Sequence, residues 1–174
     1  QNGNAQLEEA NWTMGDSLGI RWDSTAQSNL GYSTVNYNRW INGKNANISD
    51  KTGKLLFYLN ADELNKVKVM NNAHQIMDNG TDLLSSAGTD WGNGTLVLPF
   101  PNDSTKFYVF TICIYCNNGA IANNAYYHIV DMSLNNGLGK IISKNNLFIQ
   151  NVHQKIAAVK HSDGKKWWVI LHEK

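Results

Sequence analysis

Three stretches of the chain alternate large apolar residues with a period of two, and the rest of the sequence is spaced around them. In 54–60, KLLFYLN, the alternation puts Leu55, Phe57 and Leu59 on one face. In 106–115, KFYVFTICIY, Phe107, Val109, Thr111 and Cys113 share one face, and Tyr108, Phe110, Ile112 and Ile114 share the other. In 166–173, KWWVILHE, Trp167, Val169 and Leu171 oppose Trp168, Ile170 and His172. The β-branched and aromatic composition, the period and the flanking turn residues predict strands. Apolar residues on both faces of 106–115 predict a strand lying between two packed layers.

Each of these strands follows a turn and another candidate strand, in ANISDKTGKLLFYL, TLVLPFPNDSTKFYVFT and IAAVKHSDGKKWWVIL. One hairpin is thus written three times, at intervals of about 50 and about 60 residues, with further strands such as NAYYHIVDMSL and KNNLFIQ between. Units of four strands at about this period predict propeller blades. The expectation is an all-β fold of propeller-like, four-stranded antiparallel blades, about three of them, forming a partial propeller. In the last hairpin, a two-residue turn at Asp163 and Gly164 sets Ser162 against Lys165, His161 against Lys166 and His172 against Lys155. His161 and His172 then stand at opposite ends of the hairpin, and Trp167 and Trp168 on opposite faces.

The segment NADELNKVKVMNNAHQIM admits a short helix, capped by Asp62 or Asn60, with Leu64, Val67 and Met70 on one face. The competing expectation is an irregular link to an outer strand ending at the turn MDNG. Elsewhere the sequence is punctuated by asparagine, about one residue in seven, often in pairs. Asparagine tolerates left-handed backbone and forms Asx turns, so this spacing predicts many tight turns between short elements.

At 174 residues the chain suits one domain, expected over 11–174 and either truncated here or continuing beyond this chain, after a polar tail over 1–10. A start at Gln1 with QNGNAQ is expected where a secretory signal has been removed, which predicts an extracellular or outer-surface location. The net charge of +1, with 17% charged residues and no basic block, argues against nucleic acid as a partner. No apolar run approaches the ~20 residues of a spanning helix, so membrane insertion is not expected.

The segments NWTMGDSLGIRWD, SDKTGKLLFYL, NNAHQIMDNGTDLL, LPFPNDSTKFYVFT, YYHIVDMSLNNGLGKIISKNNLFI and KIAAVKHSDGKKWWVILHE carry a family resemblance when taken together and in order. The chain resembles the N-terminal β-propeller region, of WD-repeat or YVTN-like kind, of large secreted Bacteroidetes surface proteins. Those proteins carry PKD domains and a type IX secretion or gliding-motility sorting domain. The resemblance implies export and display at the cell surface, and it places no catalytic residue on this sequence. A closed propeller needs at least about four blades, so three units would leave apolar blade faces open to self-association.

Candidate chemistry is sparse. Cys113 and Cys116 form C-x-x-C at a strand end, running into turn-rich sequence rather than a helix; a local disulfide or two inert thiols is expected, and no second pair completes a zinc site. The five histidines lack H-E-x-x-H or H-x-H spacing. His128, on a predicted strand, is read as a hydrogen-bonded structural residue, with a pH-sensitive group or metal ligand as the alternative; His74 is read as solvent-exposed in a loop. Glycoside hydrolysis needs two carboxyl groups about 5–9 Å apart. Asp62 and Glu63 are neighbours in a link, Asp131 stands on a strand and Glu173 near the end, so no such pair is evident. Neither a nucleophile elbow nor a phosphate-binding glycine loop is present. Trp12, Trp22, Tyr32, Tyr37, Trp40 and Trp91 lie in turn-rich sequence, as blade anchors or as a platform for a glycan. The expectation is a non-catalytic, cofactor-free surface or adhesion module that binds a protein or glycan; the alternatives are a secreted carbohydrate-active enzyme and a self-assembling structural subunit.

Overall fold

The structure, a computed structural model, describes residues 11–13, 18–22, 32–36, 46–61, 67–85, 94–115 and 123–174. Its strands are β1 (Asn11–Thr13), β2 (Leu18–Trp22), β3 (Tyr32–Asn36), β4 (Asn47–Ser49), β5 (Leu55–Ala61), β6 (Val67–Asn71), β7 (Thr95–Phe100), β8 (Asp103–Cys113), β9 (Asn124–Asp131), β10 (Lys140–Ile149), β11 (Val152–Lys160) and β12 (Trp167–Glu173). They form four antiparallel sheets in chain order: β1–β3, β4–β6, β7–β10 and the hairpin β11–β12. The chain is therefore all-β, and none of the four sheets closes into a barrel. Each sheet is a meander, so every pairing joins strands consecutive in sequence.

The four-stranded sheet is the middle layer. On one side, Val97, Phe107, Val109, Val130 and Ile141 meet Ile48, Phe57, Leu59, Val67 and Val69 of the β4–β6 sheet. Phe57 and Phe107 sit edge to face at the centre, ring centroids 5.5 Å apart. On the other side, Leu98, Phe110, Ile112 and Ala125 receive Val152 and Ile156 of β11, with Trp167, Val169 and Leu171 of β12 around them. The two apolar faces predicted for 106–115 are thus both covered, each by a different neighbour. The first strands also adjoin in sequence: β1 lies beside β4, β4 beside β7, and β11 beside β7 and β8.

One face assignment shifts. Ile48 pairs with Phe57 but Ser49 pairs with Leu55, so Leu56 is the extra residue of a β-bulge. Leu56 consequently packs with Phe57 and Leu59, while Leu55 packs with Tyr58 and Met70 on the opposite face. The helix considered around 60–77 is replaced by a strand where the chain is described: Val67–Asn71 is β6, with Val67, Val69 and Met70 buried. Packing of that strand against the core overrides its helical spacing. The residues beyond it join two sheets. Met77 N–H donates to Val69 O (2.8 Å), Val69 N–H to Gly80 O (2.9 Å) and Ile141 N–H to Asp78 O (3.0 Å), so 76–80 laces β6 to β10.

Asparagine performs the predicted turn work. Residues at 79, 102, 123, 135, 136, 145 and 151 are asparagines with positive φ, where most side chains would be strained. Aspartates complete the hairpin turns: Asp50 Oδ1 accepts from Thr52 N–H (2.8 Å), Asp103 Oδ1 from Thr105 N–H (3.0 Å) and Asp163 Oδ1 from Lys165 N–H (2.8 Å).

Candidate functional site

The hairpin β11–β12 has an alternation that buries only half of what it offers. Lys160 pairs with Trp167, Val159 with Trp168, Ala158 with Val169, Ala157 with Ile170 and Ile156 with Leu171. The inward members pack on the four-stranded sheet; the outward members do not. Trp168 is 62% exposed, Val159 56% and Ile170 54%. Because Val159 faces Trp168 and Ala157 faces Ile170 directly across the ladder, these side chains form one contiguous apolar ridge.

The turn that sets this register is longer than expected. His161 N–H donates to Lys166 O (2.9 Å) and Gly164 N–H to His161 O (2.9 Å), so the loop runs over 162–165. Gly164 takes φ +70°, and Asp163 accepts from both Lys165 and Lys166 N–H. The longer loop keeps His161 opposite Lys166, so the predicted faces of Trp167 and Trp168 hold. The other end does depart: Val152 pairs with Glu173, three residues fit opposite His172, and this bulge brings His153 rather than Lys155 against it. The ring centroids of His153 and His172 lie 4.9 Å apart, whereas the His161 ring lies tilted against Trp168 at 5.6 Å.

The hairpin that carries the ridge is rich in cations, though Lys160 lies over Trp167 on the inward face (5.7 Å) and Lys166 pairs with Asp163 (3.8 Å). Lys155, Lys160, Lys165, Lys166 and Lys174 are exposed, against only Asp163 and Glu173 in 151–174, a local formal charge of five minus two, +3. Asp163 is already occupied by its turn, and the Lys165 N–H, then that of Lys166 and the His161 ring, lower its pKa to about 2.

Asp50, Asp103 and Asp131 are similarly committed. Asp103 is lowered to about 2, first by the Lys106 ammonium at 2.6 Å and then by the Thr105 hydroxyl and N–H. At Asp50, burial raises the pKa but the Thr52 hydroxyl and the Lys54 and Thr52 N–H groups outweigh it. Asp131 accepts from Ser133 N–H and hydroxyl (2.9 and 2.6 Å). A general acid needs its pKa raised, so the shifts at Asp50, Asp103 and Asp163 run the wrong way for glycoside hydrolysis. A cavity of about 330 Å³ beside the β4–β5 turn is lined by Ser49, Asp50, Lys51, Thr52, Leu56, Pro99, Ser104 and Phe107, and its single carboxylate is the one holding that turn.

The remaining predicted residues fall as follows. His128 is wholly buried and fully bonded: Asn145 N–H donates to Nδ1 (3.0 Å), so Nε2 carries the proton and donates to Thr111 Oγ1 (2.9 Å). Thr111 in turn donates to Leu84 O (2.6 Å). Burial, and secondarily Lys144, lower the His128 pKa to about 4. His74 is half-buried rather than solvent-exposed, since its Nδ1 hydrogen-bonds the hydroxyl of the buried Tyr58 (3.2 Å). Cys113 is wholly buried and disulfide-bonded, and Cys116, the other cysteine of the sequence, lies outside the described residues. Trp12, Trp22 and Tyr32 stand on β1, β2 and β3, with only their backbone described. Tyr37, Trp40, Trp91, Asp62, Glu63 and the tail 1–10 lie outside the described residues. Among the described residues no group of three or more His, Cys, Asp or Glu is arranged to hold a metal, and no helix is long and apolar enough to cross a membrane.

No protein-family model, no curated protein and no solved structure matches the chain significantly.

Proposed function

We propose that the chain is a non-catalytic binding module of a secreted or surface-displayed protein, and that its four sheets are successive blades of a propeller-like stack. The blade reading is supported by the order of the sheets and by the way β1, β4, β7 and β11, the first strand of each, adjoin along the chain. The disulfide at Cys113 supports an oxidising compartment.

The observation that carries the binding role is the exposed ridge of Val159, Trp168 and Ile170 on a hairpin that carries a formal charge of +3 over 151–174. Aliphatic side chains beside one tryptophan, without a polar hydrogen-bonding array, suit a protein surface better than a sugar face. The positive balance of the hairpin favours a partner whose contact patch is apolar at its centre with acidic groups around it. A like-charged second copy fits this face less well.

The test pairs the wild-type chain with Trp168→Glu/Ile170→Lys in crosslinking to surface proteins of the source cell, alongside assays on a panel of glycosides. Because both side chains point to solvent, the double variant should melt like wild type and lose the crosslinked partner. Turnover of any glycoside, or a partner retained by the folded double variant, would refute the reading.

A further inference from the structure

The His153–His172 pair is a second feature of the hairpin, independent of the apolar ridge. The sequence separates the two residues by nineteen positions, and simple two-by-two pairing would set Lys155 against His172. The bulge between Val152 and Ile156 instead brings the two rings together, centroids 4.9 Å apart and planes 50° from parallel. Both residues are exposed, and among the described residues neither ring is hydrogen-bonded or ion-paired.

We propose that His153 and His172 form a bidentate site for a borderline divalent transition ion such as Cu²⁺, Ni²⁺ or Zn²⁺. Imidazole nitrogens bind such ions at ~2.0–2.1 Å, which puts the metal about 3.2 Å from each ring centre. Two imidazoles at a right angle about one ion then have centroids about 4.5 Å apart, and at the tetrahedral angle about 5.2 Å. The observed 4.9 Å falls between the two, within reach of both tetragonal and tetrahedral coordination. Water fills the remaining positions, since both rings face solvent. Only the unprotonated ring nitrogen binds a metal, so metal and proton compete for these positions. Two nitrogen ligands without a carboxylate or thiolate favour Cu²⁺ over Ni²⁺ and Zn²⁺ in the usual order.

Calorimetric titration of the chain with each ion in a non-coordinating buffer at pH 7.5, together with copper electron paramagnetic resonance, tests the site. The expected result is one Cu²⁺ bound with two-nitrogen hyperfine structure, and at least about a tenfold weaker binding in either His153→Ala or His172→Ala. His161→Ala, which removes a ring that lies against Trp168 instead, should bind as wild type does. Equal affinity in wild type and both single variants, with melting curves showing all of them folded, would overturn the proposal. Partner binding by the ridge is scored separately, so either result can fail without the other.

Discussion

His128 is neutral in the folded chain because both of its nitrogens are already committed: one accepts a backbone N–H and the other donates to a hydroxyl that has passed its own proton on. Protonating Nδ1 would set two donors face to face in a buried site. The folded pKa of about 4 lies below the ordinary 6.5, so above pH 6.5 the group costs nothing, and as pH falls to about 4 only the unfolded chain takes up the proton. Stability should therefore drop by about 3 kcal/mol across that window. Urea unfolding from pH 7 to pH 4 reads the drop, which should be shallower in His128→Gln. The lowered Asp103 and Asp163 act later, losing their contribution from about pH 3.8 towards about 2, so the two acid effects separate on the pH axis. The sequence showed His128 on a strand between apolar neighbours, but not its partners, which come from Thr111, seventeen residues earlier, and Asn145, seventeen later.

Among the elements, the lacing of β6 to β10 through 76–80 depends on backbone closeness at one glycine. A Cβ at Gly80 would stand 2.7 Å from Met77 O and 2.8 Å from Val69 O, and Val69 N–H donates to Gly80 O itself. Two carbonyls fixed in hydrogen-bonded ladders cannot yield as a flexible side chain would, so Gly80→Ala should destabilise by about 1–3 kcal/mol in urea titration. Gly139, at φ +82°, where a Cβ would meet the Met132 sulfur at 2.7 Å and the Met77 methyl at 2.8 Å, is a tight spot of softer kind. At this scale the strand pattern was legible wherever alternation was uninterrupted. Bulges were not: the extra Leu56 and the excursion at 153–155 moved Leu55 to the other face and His153 against His172, because an inserted residue costs the sequence no visible signal.

For the whole molecule, an apolar ridge on a basic hairpin gives association a definite dependence on salt. Lysines on two such faces repel at low ionic strength, while the burial of Val159, Trp168 and Ile170 is little affected by salt. Any self-association through this face should therefore grow from low to high salt in sedimentation velocity and vanish in Trp168→Glu/Ile170→Lys. Growth that persists in the variant would place the contact elsewhere. The sequence by itself determined the all-β class, the two apolar faces of 106–115 and the opposite faces of Trp167 and Trp168, because alternation with period two is a local property of the extended chain; that Trp168 meets solvent and not a second packed layer was not in it. Turn chemistry too was local, carried by Asn and Asp beside their own backbone. Only the tertiary structure decided which face of each sheet is covered and by what, where the ladders slip, and which distant side chains meet. Those outcomes depend on packing between segments many residues apart, for which neighbouring residues along the chain hold no record.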